Sequence, residues 1–99
     1  MLNINKTVEG GSALVALEGR LDTITAPELE EALKEMLDGD NALTLDFEKL
    51  DYISSAGLRV LLSTHKLMAE RGGLKITRVN ETVKEIFEVT GFTDILTIE

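Results

Sequence analysis

Apolar residues recur with two different periods along this chain, and the change from one period to the other predicts its elements. Over residues 2–8 apolar and polar positions alternate, which is the period of a β-strand. Gly10 and Gly11 then indicate a hairpin turn, and the mostly apolar residues 12–18 predict a buried strand that ends at Gly19. The chain is therefore expected to open with an antiparallel pair of strands.

A helical period follows this pair. Thr25 precedes Pro27 and Glu28 with the spacing of a capping box, so a helix is expected to begin there. Gly39 is expected to end it. Apolar residues inside this span recur at i, i+3, i+4, i+7 and i+8, the stripe of an amphipathic helix: Leu29, Ala32, Leu33, Met36 and Leu37.

The middle of the chain contains a third strand and a second helix. Alternating apolar positions over residues 43–47 predict the strand, and residues 48–53 are interpreted as a short connection. Ser54 and Ser55 open a helix that is expected to run to about Arg71.

The last quarter of the chain repeats this order. Residues 74–79 predict a fourth strand, Asn80 caps a short helix that Gly91 ends, and residues 95–98 form a short strand or helix. The order is β-β-α-β-α-β-α plus a tail. Strands separated by helices need crossover connections, so we expect an α/β fold with a small, mixed, mainly parallel sheet. Its helices should lie mainly on one face, and residues 1–99 should form one domain.

Composition argues against several classes of function. The net charge of −8 disfavours nucleic acids and anionic membrane surfaces as partners, and the absence of cysteine excludes disulfides and thiol chemistry. No cofactor or metal site is expected. Residues 38–41 resemble the start of a calcium-binding loop, but the glutamate that such a loop needs further along the chain is missing at the required spacing. Without a long apolar run or a signal peptide, the chain is expected to be cytoplasmic.

Two apolar residues of the second helix, Val60 and Leu67, lie away from its main apolar stripe. Either a neighbouring helix covers them, or they form a small exposed patch for a partner. The sequence leaves both possibilities open.

The start of the second helix is where chemistry is expected. Two serines, Ser54 and Ser55, stand at this position. One of them is enough to cap the free N–H groups of the first turn, so the other is free to point outward. Gly57 costs about 1 kcal/mol relative to alanine in a helix interior. This glycine indicates either close approach of a partner or tight packing against the sheet. A phosphate on Ser55 would suit the positive end of the helix dipole.

Three stretches of the chain stand out together, residues 19–26, 46–58 and 80–92. In this order and spacing they resemble the STAS domain of sulfate transporters and anti-sigma factor antagonists. The resemblance implies a STAS-like fold, a phosphoacceptor at Ser55 and a partner-binding role for Asp22. The chain differs from the family pattern at two positions. Ser54 stands where the family has aspartate, and Ala56 stands where the family has a second hydroxyl residue.

The resemblance also implies a function. The unmodified domain would bind an anti-sigma factor serine kinase and release the sigma factor. The kinase would then phosphorylate Ser55, the two proteins would separate, and a PP2C-type phosphatase would reset the cycle. The partner-binding residues implied are Asp22, Thr23, Ser54, Ser55, Gly57 and Leu58.

Two other functions are alternatives to this one. STAS-like domains also occur as accessory subunits of transporters, where the same surface would dock on an ATPase without phosphorylation. Enzymatic activity is not expected, because the only histidine, His65, lies ten residues beyond Ser55 on one helix, about 15 Å away. His65 is expected to be a partly buried packing residue.

Overall fold

The computed structural model describes residues 2–36 and 42–99. They form one five-stranded sheet, in the order in which the strands occur in the chain, and three α-helices. The strands are β1 (Leu2–Glu9), β2 (Ser12–Leu21), β3 (Ala42–Ile53), β4 (Leu74–Thr77) and β5 (Thr97–Ile98), and the helices are α1 (Ala26–Met36), α2 (Ser55–Ala69) and α3 (Glu81–Thr90).

The sheet is mixed, as predicted. β1 and β2 are antiparallel and joined by the turn at Gly10, which has a φ of 58°, whereas β2, β3, β4 and β5 are parallel neighbours. Residues on one face of β2, such as Val15, are buried, while Leu14 and Glu18 on the other face are exposed. The helices therefore cover one face of the sheet, and the expectation of a small mixed sheet with one covered face is confirmed.

The two central strands are longer than predicted. Residues 48–53 are part of β3 and not a connection, and β2 continues two residues beyond Gly19. The β2–β3 ladder is irregular at two places. Ala16 pairs with Asp46 but Glu18 pairs with Lys49, and Gly19 pairs with Leu50 but Arg20 pairs with Tyr52, so β3 contains one extra residue at each place. These two bulges break the alternation of apolar and polar residues from which the strand was predicted.

The ends of the later elements follow their local signals. The side chain of Asn80 accepts a hydrogen bond from the Val83 N–H at 3.0 Å, and Gly91 ends α3 with a φ of 83°, both as predicted. β4 ends at Thr77 because Arg78 adopts a φ of 55°. Of the two forms predicted for residues 95–98, the structure has the strand, β5, and a 3₁₀ turn that was not predicted precedes it at Phe92–Asp94.

Helix packing decides the question left open by the sequence. α1 packs against α2 and buries Val60, whereas Leu67, at the rim of the same groove, remains 42% exposed. His65 is half-buried, as expected. Residues 37–41, which include the predicted helix end at Gly39 and the segment 38–41 that was compared with a calcium loop, lie outside the described residues.

Candidate functional site

The carboxyl ends of β2 and β3 lie side by side and bring two chain segments together. Leu21 and Ile53 are register partners, and the Ser54 N–H donates a hydrogen bond to the Leu21 carbonyl at 2.8 Å. Residues 22–25 leave β2 at this point, and residues 54–58 start α2 there. We call these two segments together the carboxyl-end surface, because such strand ends are the usual place for a site in an α/β sheet.

Ser54 and Ser55 have different roles at the start of α2. Ser54 has an extended backbone and is the N-cap: its hydroxyl oxygen accepts from the Gly57 N–H at 3.3 Å, and its carbonyl accepts from the Leu58 N–H at 2.9 Å. Ser55 is the first residue of the helix, and its side chain is exposed. The serine that stands where the family has aspartate therefore performs the capping, and its neighbour presents a hydroxyl to solvent.

Gly57 and Leu58 are buried in the domain itself. A Cβ atom added at Gly57 would lie 2.7 Å from Leu21 Cγ and 2.9 Å from Ile53 Cγ1, closer than such atoms can approach. Of the two readings left open for this glycine, the structure supports close packing of α2 on the ends of β2 and β3. The close packing of these two residues therefore sets the distance between Ser55 and the sheet.

Asp22 holds the loop that faces this helix start. Its Oδ1 accepts hydrogen bonds from the backbone N–H groups of Ile24 and Thr25, each at 3.0 Å. These bonds, chiefly the one from Thr25, lower the pKa of the Asp22 carboxyl below its usual value of 3.8, because they stabilise the ionised form. The carboxylate thus shapes the loop in addition to any contact it makes with a partner.

Thr25 does not form the predicted capping box with Glu28. The Thr25 hydroxyl accepts from the Asp22 N–H at 2.8 Å and donates to the Arg20 carbonyl at 2.8 Å, so it fastens the end of β2. Thr25 is buried, and its hydroxyl satisfies the backbone groups nearest to it. The prediction of a capping box was wrong, although α1 does begin at the next residue.

The loop also carries a residue that the sequence reading missed. Ile24 is 82% exposed at the tip of the turn held by Asp22, beside the exposed Thr23. A single exposed apolar residue is common on protein surfaces, but this one belongs to the carboxyl-end surface. One signal could have found it, since Ile24 belongs to neither the strand period before it nor the helix period after it.

Comparison with known proteins places these observations in a family. The STAS domain family model matches residues 3–99. An anti-sigma-B factor antagonist of Staphylococcus aureus (strain NCTC 8325 / PS 47) is 34% identical over 97 residues, which cover 96% of this chain and 90% of that protein.

Solved structures share the fold. An anti-sigma factor antagonist of Mycobacterium paratuberculosis superposes with a TM-score of 0.90 at 21% identity, covering 99% of this chain and 85% of that one. Unphosphorylated SpoIIAA, an anti-sigma factor antagonist, gives a TM-score of 0.81 at 16% identity over 98% and 88% of the two chains. The phosphorylated form of SpoIIAA, from Bacillus, gives 0.73 at 15% identity over 100% and 91%. In the part of this chain that the structure describes, no helix has the length and apolar character needed to cross a membrane.

Proposed function

This chain belongs to the STAS domain family, and on that premise we propose that it is an anti-sigma factor antagonist that phosphorylation of Ser55 switches off. The observation that carries the proposal is the exposed Ser55 hydroxyl on the first residue of α2, next to a serine that already caps the helix. The Staphylococcus aureus relative, which this chain matches over 90% of its length, favours this function over docking on a transporter ATPase.

The chemistry required of this domain is small. A serine kinase partner would supply ATP and the base that takes the Ser55 hydroxyl proton. The Ser55 oxygen would bond to the γ-phosphorus, the bond between this phosphorus and the β,γ-bridging oxygen would break, and ADP would leave. The domain supplies only a positioned acceptor, which agrees with a site that holds one exposed hydroxyl and one carboxylate already bound to its own loop. A PP2C-type phosphatase would hydrolyse the phosphoserine and restore the binding form.

The docking contacts in this proposal divide between the two halves of the carboxyl-end surface. Thr23, Ile24 and Ser55 are exposed and would touch the kinase, with Asp22 and Ser54 at the margin of the contact. Gly57 and Leu58, being buried, act by holding α2 in place.

The direct test is to incubate the domain with ATP and the anti-sigma factor kinase of its source organism, and to map the product by mass spectrometry. We expect one phosphate, on Ser55, and none on the Ser55→Ala variant. Ser54→Ala is the matched control and should still be modified. Phosphate on Ser54 or elsewhere, with Ser55 unmodified, would disprove the assignment, and capture of a transporter ATPase in place of a kinase would favour the second function.

Ile24→Ala is expected to weaken binding of the unmodified domain to the kinase by about tenfold or more, because a central apolar anchor contributes on the order of 1–2 kcal/mol or more to such an interface. The matched control is Val89→Ala. Val89 is equally exposed at 85%, but lies on α3 and not on the carboxyl-end surface. Titration calorimetry should show the loss for the first variant only. Equal affinity of both variants would remove Ile24 from the interface.

A further inference from the structure

The two edges of the sheet differ in how they are protected. β5 forms one edge and is only two residues long, whereas β1 forms the other edge with eight residues paired to β2 without a register shift. Short strands, bulges, prolines and charged side chains, lysine especially, are the devices that normally protect an edge. β1 has neither a bulge nor a proline, and its only charged residues are Lys6, whose ammonium lies 3.8 Å from Glu35 of the same chain, and Glu9 at its end.

The hairpin determines which backbone groups of β1 are free. Glu9 and Ser12 close a two-residue turn and form a hydrogen-bonded pair, and such pairs alternate along an antiparallel ladder. The residues at the other positions therefore direct their N–H and C=O groups away from β2, towards the open edge. These residues are Leu2, Ile4, Lys6 and Val8.

We propose that β1 binds β1 of a second copy of this chain, antiparallel and about a twofold axis at Asn5. In this register every outward backbone group of the four residues finds a partner. Leu2 lies opposite Val8 of the second copy, so that Val8, now 56% exposed, gains an apolar neighbour. The same operation places Ile4 opposite Lys6 of the second copy. Such a self-complementary contact closes as a dimer.

Other registers fit less well. A shift of two residues in one direction places Lys6 directly opposite Lys6 of the second copy, and like charges in that position repel. A shift of two in the other direction leaves Val8 without a partner. In the proposed register each Lys6 ammonium is diagonal to the other and keeps Glu35 of its own chain at 3.8 Å.

The dimer does not depend on the phosphorylation proposed above. The outer edge of β1 is separated by β2 from the strand that leads into Ser55, so both Ser55 hydroxyls stay accessible. Each chain carries a net charge of −8, so two copies repel one another over long distances. Because salt screens this repulsion, association should strengthen as the ionic strength rises.

Single cysteines test the register, since the chain has no cysteine of its own. Asn5→Cys places two thiols across the axis in a non-hydrogen-bonded pair, where a disulfide can form. The matched control is Thr7→Cys, on the same exposed face, whose thiols would be four residues apart, about 14 Å. Under mild oxidation we expect the first variant to cross-link at least about tenfold faster. Equal rates would overturn the proposed register.

A proline tests the contact without a thiol. Lys6→Pro removes an N–H that faces the open edge and leaves the ladder to β2 complete, whereas Lys6→Ala loses the same side chain and keeps that N–H. Sedimentation at increasing concentration should show a mass approaching twice the monomer for the native chain and Lys6→Ala, but not for Lys6→Pro. Circular dichroism verifies that both variants fold. A native chain that stays monomeric at every concentration and in high salt would overturn the proposal.

Discussion

Phosphorylation of Ser55 is expected to lower the affinity of the domain for its anti-sigma factor by about 150-fold, or about 3 kcal/mol, while its free energy of unfolding changes little. The phosphate adds about −1.5 to −2 charges at pH 7. A partner seated over the exposed start of α2 would have to desolvate this dianion or be repelled by it. We therefore expect the switch to act through the interface.

We expect the domain itself to tolerate the added charge for three reasons. Ser55 is exposed, so the phosphate stays hydrated. It lies at the N-terminus of α2, where the helix dipole favours negative charge. Arg59, also exposed, follows four residues later on the same helical face and can approach the phosphate. Each of these effects opposes a loss of stability.

The measurement compares two quantities for the same phosphorylated sample: affinity for the kinase by titration calorimetry and stability by urea unfolding. Ser55→Asp should reproduce part of the loss of affinity. Ser63→Asp is the matched control, because it adds the same charge to an exposed position of α2 beyond the carboxyl-end surface. Unchanged affinity after phosphorylation, or an equal loss for Ser63→Asp, would refute a switch based on local charge.

Most of the fold could be predicted because its signals are local. Asn80 and Gly91 bound α3 through hydrogen bonds and a backbone angle that the residue types themselves favour. The length of β3 could not be predicted, because the two bulges of β3 opposite β2 depend on which strand pairs with β3. An alternation read along one strand carries no information on its neighbour.

The candidate site was predictable in part for the same reason. Two serines at a helix start indicate one cap and one free hydroxyl, and the structure assigns the cap to Ser54. The Thr25 hydroxyl bonds to the Arg20 carbonyl and the Asp22 N–H, which the turn at Asp22 brings within reach. The spacing between Thr25 and Glu28 therefore predicted a capping box that does not form. Ile24 was missed because exposure is a property of the folded loop.

Gly57→Val is expected to destabilise the domain by about 3 kcal/mol, the upper end of the usual cost of overpacking a core. The new Cβ atom would lie within 3.0 Å of Leu21 Cγ and Ile53 Cγ1, which are inner carbons of two fully buried side chains. Gly57→Ala should lose about 1–2 kcal/mol, because better helix propensity offsets part of the clash. Urea unfolding monitored by circular dichroism measures both values.

Gly11→Ala is the control, because a Cβ atom there has no neighbour within 4 Å and the backbone angle does not require glycine. Its stability should remain within about 0.5 kcal/mol of the native value. The pair also separates the two explanations of Gly57. If this glycine served the approach of a partner, Gly57→Ala would be as stable as the native domain and deficient only in binding the kinase. If Gly57→Ala loses stability and Gly11→Ala does not, the glycine at position 57 is needed for close packing of α2 on the sheet. This packing in turn sets the distance between Ser55 and the sheet.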